Sequence, residues 1–79
     1  MDNATFARID AKLFHRLHWG PLDPVTFRLN GGQELTGQVM GVYRNGATGE
    51  LRGGPTGQVL LATALGETAF TYEQISEIE

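Results

Sequence analysis

With 79 residues and a net charge of −3, the chain has room for one small domain and lacks the basic excess by which non-specific nucleic-acid binders neutralise phosphate. It has no cysteine, which excludes disulfides, and no stretch approaches the roughly 20 apolar residues of a membrane-spanning helix. A core of this size barely offsets the entropy of the chain, so self-association is the expected remaining source of stability.

The opening MDNATFARIDAK carries early acid and no apolar signal-peptide core. The expectation is a soluble cytoplasmic protein, of the kind found in bacteria or phage, with no membrane partner. Residues 3–18 are predicted to be helical. Phe6, Ile9, Leu13 and Leu17 recur at three and four residues, and Phe14 widens the stripe. Asp2 or Asn3 can cap its start, because either side chain can accept from a free backbone N–H. Gly20-Pro21 stops it, with glycine free to turn left-handed and proline unable to continue. The opposite face carries Arg8, Lys12 and Arg16 at i, i+4 and i+8, with His15 beside them. Such a stripe faces nucleic acid or an acidic partner, or it is a solvated face whose late cations match the helix dipole. Trp19, at the helix exit, is expected to wedge the helix against the rest of the fold.

From Val25 the period changes to two. Val25, Phe27 and Leu29 alternate with Thr26, Arg28 and Asn30, which is a half-buried strand. Asn30-Gly31-Gly32 is a turn, and Leu35, Val39 and Tyr43 continue on one face of a longer strand. Gly37 and Gly41 interrupt it, where a sheet can bend or another backbone can approach. Residues 44–57 form a glycine-rich loop that contains Leu51, a possible strand end. It lacks the Gly-Lys-Ser/Thr of a phosphate-cradling loop and leads into no helix. Gln58–Leu65 is the next strand, apolar on both faces and so expected to be covered on both. Gly66-Glu67 turns the chain into a strand over Thr68–Tyr72. Glu73-Gln74 makes a bend of 3₁₀ type, and Ile75 and Ile78 close a very short last strand.

A helix followed by five short, glycine-bent antiparallel strands is the pattern of a small SH3-like barrel. The expected core is Phe6, Ile9, Leu13, Val25, Phe27, Leu29, Leu35, Val39, Leu61, Phe70, Ile75 and Ile78. The last and fourth strands are left with open edges, which invites edge-to-edge joining of copies into a ring.

The spacing of Val25, Phe27, Leu29, Gly32, Gly37, Val39 and Val42 resembles the first motif of the Sm/LSm family, including its Hfq branch. Phe70, Ile75 and Ile78 match the apolar positions of its second motif. The resemblance covers residues 24–79, plus the N-terminal helix such proteins commonly carry. It implies one Sm-like domain over residues 1–79, a homo-oligomeric ring of five to eight subunits, and binding of single-stranded RNA. The usual RNA-site residues are absent, however. Tyr43 and Ala47 stand where the family has Asp and Asn. Tyr72-Glu73-Gln74 stands where it has Arg-Gly or Lys-His. Tyr43 and Tyr72, by stacking, with Gln74 beside them and Arg8, Lys12 and Arg16 on the helix, are the remaining RNA-binding candidates, and the specificity is expected to be altered. The chain is also similar in pattern to bacterial Rho-inhibitor proteins. That likeness implies the alternative of a protein-interaction module that binds no RNA.

Nothing assembles an enzyme. The only serine, Ser76, is nearly terminal, and there is no cysteine nucleophile. His15 and His18 lie three apart on the helix without an obvious third metal ligand. Glu67, Glu73, Glu77 and Glu79 fall on turns and the chain end and read as surface charge. No catalytic residue, metal or cofactor is expected.

Overall fold

The computed structural model describes residues 1–20, 22–46 and 54–79. The predicted loop residue Leu51 and the centre of the glycine-rich stretch lie outside the described residues. Helix α1 spans Asn3–Trp19, followed by strands β1 (Val25–Leu29), β2 (Glu34–Asn45), β3 (Thr56–Thr63), β4 (Gly66–Thr71), a 3₁₀ turn (Tyr72–Gln74) and β5 (Ile75–Ile78). The protein is mainly β. All strand pairs are antiparallel, and the order is β4-β3-β2-β1-β5. Among the described residues the sheet is not closed by hydrogen bonds: β4 and β5 are its two edges, joined through the 3₁₀ turn.

Asp2 is the helix cap, its Oδ1 accepting from the Thr5 N–H at 2.7 Å. That bond holds the Asp2 carboxyl below its ordinary pKa. At the other end Gly20 is not left-handed, as expected of a glycine stop, but extended, with φ −160°. A Cβ there would meet only the ends of the Asp23 and Arg16 side chains, which can swing aside. Phe6, Ile9 and Leu13 face the sheet and join Val25, Phe27, Val59, Leu61, Phe70, Tyr72, Ile75 and Ile78 in one buried cluster. Leu29, Leu35 and Val39, expected in the core, are half-buried at its margin, whereas Val59 and Tyr72 are additional core members.

Trp19 does not wedge the helix onto the sheet; its side chain is 74% exposed. At about 100° per residue it lies well away from the Phe6/Ile9/Leu13 stripe, on the face of Lys12 and His15. The β3–β4 turn also differs from expectation. It is made by Ala64 and Leu65, and β4 begins at Gly66 rather than Thr68. Thr63 accounts for this: its hydroxyl accepts from the Leu65 N–H and donates to the Gly66 carbonyl, while Gly66 takes φ 120°. The second face of β3 is covered only in part, with Leu60 and Ala62 half-buried.

Two glycines of the sheet are there because other atoms occupy their Cβ positions. A side chain on Gly37 would meet the Ala62 backbone carbonyl, and one on Gly57 would sit 2.6 Å from the Tyr72 ring. Met40 is an extra residue opposite Leu60 and Leu61, a bulge that bends β2 just before Gly41. We expect Gly57→Ala to destabilise the fold by about 2 kcal/mol, the overpacking range. Thermal denaturation should then show a fall of several degrees, and an unchanged melting temperature would mean that Tyr72 yields without cost.

Candidate nucleic-acid interface

Cross-strand register sorts the side chains near the end of β2 into rows. Val42, Val59 and Phe70 form an inner row, and Tyr43, Gln58 and Thr71 an outer one, on the side away from α1. Asn45 and Thr56 extend that outer surface. These residues, with Arg44 and Gly57, line a shallow concavity of about 430 Å³.

Tyr43 is 62% exposed and bends back along its own strand. Its Oη and ring carbons lie 3.2–3.4 Å from where a Cβ on Gly41 would stand. Gly41 thus gives the ring a flat seat. The ring is fixed against backbone while remaining open to solvent, beside one amide (Gln58) and one hydroxyl (Thr71). Aromatic rings seated in this way stack on planar groups, and side-chain amides and hydroxyls can both donate and accept at a base edge.

The second tyrosine candidate, Tyr72, has no such freedom. It is fully buried, stacks on Phe6 at a centroid distance of 5.2 Å, and donates from Oη to Asp10 Oδ1 at 2.7 Å. Burial first, and then the bond to Asp10, push its phenol pKa up. Its ring face is spent on the core, so the expectation that Tyr72 offers a stacking surface is not met. Gln74 is likewise used locally, its Oε1 accepting from the Thr71 N–H at 2.8 Å. It lines a separate concavity of about 260 Å³ with Leu29, Asn30, Gly31 and Gln33.

The helix candidates also separate. Arg16 turns back to the chain exit, donating to the carbonyls of Gly20 at 3.4 Å and Pro24 at 2.8 Å. Arg8 and Lys12 remain exposed on α1, off the Phe6/Ile9/Leu13 stripe that packs on the sheet. The six candidates therefore do not form one site: Tyr43 stands on the outer sheet face, Arg8 and Lys12 on the helix, and Tyr72, Gln74 and Arg16 serve the fold. Among the described residues no cluster of three or more His, Cys, Asp or Glu is placed to hold a metal ion. No helix there is long and apolar enough to cross a membrane.

The polar neighbours Asn45, Thr56, Gln58 and Thr71 were not candidates in the sequence. Only the β2–β3–β4 register brings them beside Tyr43. The Gly41-x-Tyr43 spacing was readable, since residues two apart share a face of a strand and an aromatic ring covers a bare glycine. Comparison with known proteins finds no matching family model, no matching curated protein and no matching solved structure.

Tyr72→Phe should cost about 1.5 kcal/mol, the loss of a hydrogen bond to a charged acceptor. The raised phenol pKa also sets a pH dependence. The folded state holds Tyr72 neutral, so its contribution is full below the ordinary value of 10.0 and is lost as pH rises above it. Alkaline unfolding of Tyr72→Phe, followed by circular dichroism, should be less steep above that pH than in the parent. Identical alkaline slopes would refute the assignment.

Proposed function

We propose that the protein is a non-enzymatic, Sm-like cytoplasmic homo-oligomer, a ring of five to eight copies, that binds single-stranded RNA on the outer face of its sheet. The observation that carries this reading is Tyr43, a solvent-open ring seated on Gly41 among hydrogen-bonding side chains. The open edges at β4 and β5 support assembly, because pairing one copy's β4 with the next copy's β5 satisfies both rows of backbone groups. Repetition then sets several Tyr43 platforms around one face, where successive bases of one strand are stacked.

Charge contributes little to this mode. Among the described residues the one cation lining the concavity, Arg44, is paired with Asp10 at 3.2 Å and lies over the Phe14 ring at 4.7 Å. Binding by stacking and hydrogen bonds therefore has a shallow salt dependence, with a log–log slope near zero to about −0.7, the value for one phosphate contact on a single strand.

The test is native mass, with absorbance at 260 and 280 nm on the same peak, followed by fluorescence anisotropy with U-rich and A-rich oligonucleotides. A discrete ring is expected, with Tyr43→Ala weakening binding about tenfold or more, since each stacked base contributes about 1–3 kcal/mol. Tyr72→Phe should leave RNA affinity unchanged. A monomer at micromolar concentration with no RNA affinity would overturn the proposal and favour the protein-interaction alternative.

A further inference from the structure

The structure divides its cations unevenly. Among the described residues Arg28 is held between Glu34 at 3.1 Å and Glu77 at 3.4 Å, and Arg44 is held by Asp10. Arg16 is spent on two backbone carbonyls. Arg8 and Lys12 have no carboxylate partner there, and both stand exposed on the outer face of α1. Continuing along that face, one reaches His15 and then Trp19. Positions 8, 12, 15 and 19 recur at four, three and four residues, so they make one continuous stripe, about 17 Å long at 1.5 Å per residue.

The stripe ends in apolar surface. Trp19 is 74% exposed and Leu22, just beyond the helix, is 77% exposed. His15 and His18 both set their rings edge-on to the indole, at centroid distances of 6.3 and 5.3 Å. The indole is thus held in place on a surface that no described residue covers. Tryptophan with a cationic flank is the composition of an interface anchor and its rim.

From this charge pattern we propose that the outer face of α1 docks an acidic protein segment, whose carboxylates meet Arg8 and Lys12 and whose apolar side chain rests on Trp19 and Leu22. The chemistry favours an acidic peptide over a nucleic acid on two counts. Two unneutralised cations are few for a phosphate backbone, and Leu22 offers aliphatic surface, which a base does not stack on. The remainder of the chain is acidic and would repel such a segment elsewhere, so charge also confines it to this face. The site lies across the sheet from Tyr43 and does not depend on the RNA reading.

Trp19 is the chain's only tryptophan, so its fluorescence reports this site directly. The probes are a synthetic 16-residue peptide with four glutamates at i, i+4 spacing followed by a Leu-Leu pair, a peptide of the same charge with Ser-Ser in place of the leucines, and a U-rich oligonucleotide. The leucine peptide should shift the emission to shorter wavelength and protect it from acrylamide at least threefold. The serine peptide should bind at least fivefold more weakly. Arg8→Glu with Lys12→Glu should weaken the leucine peptide at least tenfold, with native mass and circular dichroism unchanged. Tyr43→Ala should leave peptide binding intact, which separates this site from the RNA site. No shift at millimolar peptide, or a shift indifferent to the charge reversal, overturns the proposal. So does protection of Trp19 by the oligonucleotide but not by the peptide, which would make the stripe a nucleic-acid surface.

Discussion

The packing of Tyr72 onto Gly57 is the contact on which the rest of the structure depends. The ring occupies the space a side chain at residue 57 would take, and its other contacts reach the helix through Phe6 and Asp10. Tyr72 also opens the 3₁₀ turn that carries the chain from one sheet edge, β4, to the other, β5. One residue therefore ties together the helix, the middle of the sheet and the corner between its edges. Asp10 extends the tie to β2 by accepting from Arg44. A half-buried carboxylate between a phenol and a guanidinium has its lone pairs used, which is the condition under which burying it is tolerated. In an 79-residue chain without disulfides, such a polar clasp supplements a core of limited size.

The clasp also explains which parts of the fold were legible in the sequence. Helix α1 and strands β1 and β2 announce themselves by period, because one face of each is buried and the pattern records it. The 3₁₀ bend and the short β5 were readable for the same reason, with Ile75 and Ile78 as anchors. Tyr72 was not readable as a core residue. Its phenol suggests a polar ligand, and only the opposing Gly57 and Asp10, 15 and 62 residues away, reveal that the hydroxyl is satisfied inside. Trp19 failed in the opposite sense. A large ring after an amphipathic helix suggests a wedge, but the last turn had already rotated away from the sheet. The position of the β3–β4 turn hung on one threonine hydroxyl, a local bond that competes with the stronger-looking Gly66 signal.

The candidate site was legible only in its centre. Tyr43 sits two residues after Gly41, and that spacing alone seats the ring. Its polar neighbours come from β3 and β4, whose alignment with β2 passes through the bulge at Met40. A one-residue change of register would move Gln58 to the buried face. The bulge thus does more than bend the strand: it decides which side chains meet at the tyrosine.

The two faces of the molecule follow from the same sheet. Alternation sends Val42, Val59 and Phe70 toward α1 and leaves Tyr43, Gln58 and Thr71 facing away, so the helix and the tyrosine platform cannot share a ligand unless a chain passes around an edge. The proposed edge-to-edge assembly would close those routes, since β4 and β5 would both be occupied. Charge then separates the faces further. Arg28 is neutralised between two glutamates on the sheet side, while Arg8 and Lys12 have no carboxylate partner among the described residues on the helix side. In such an assembly the flat aromatic sites line one surface and the cationic helices the other. Each proposed ligand would then be selected by a different force, stacking on one side and charge with apolar contact on the other, and salt would act mainly on the second.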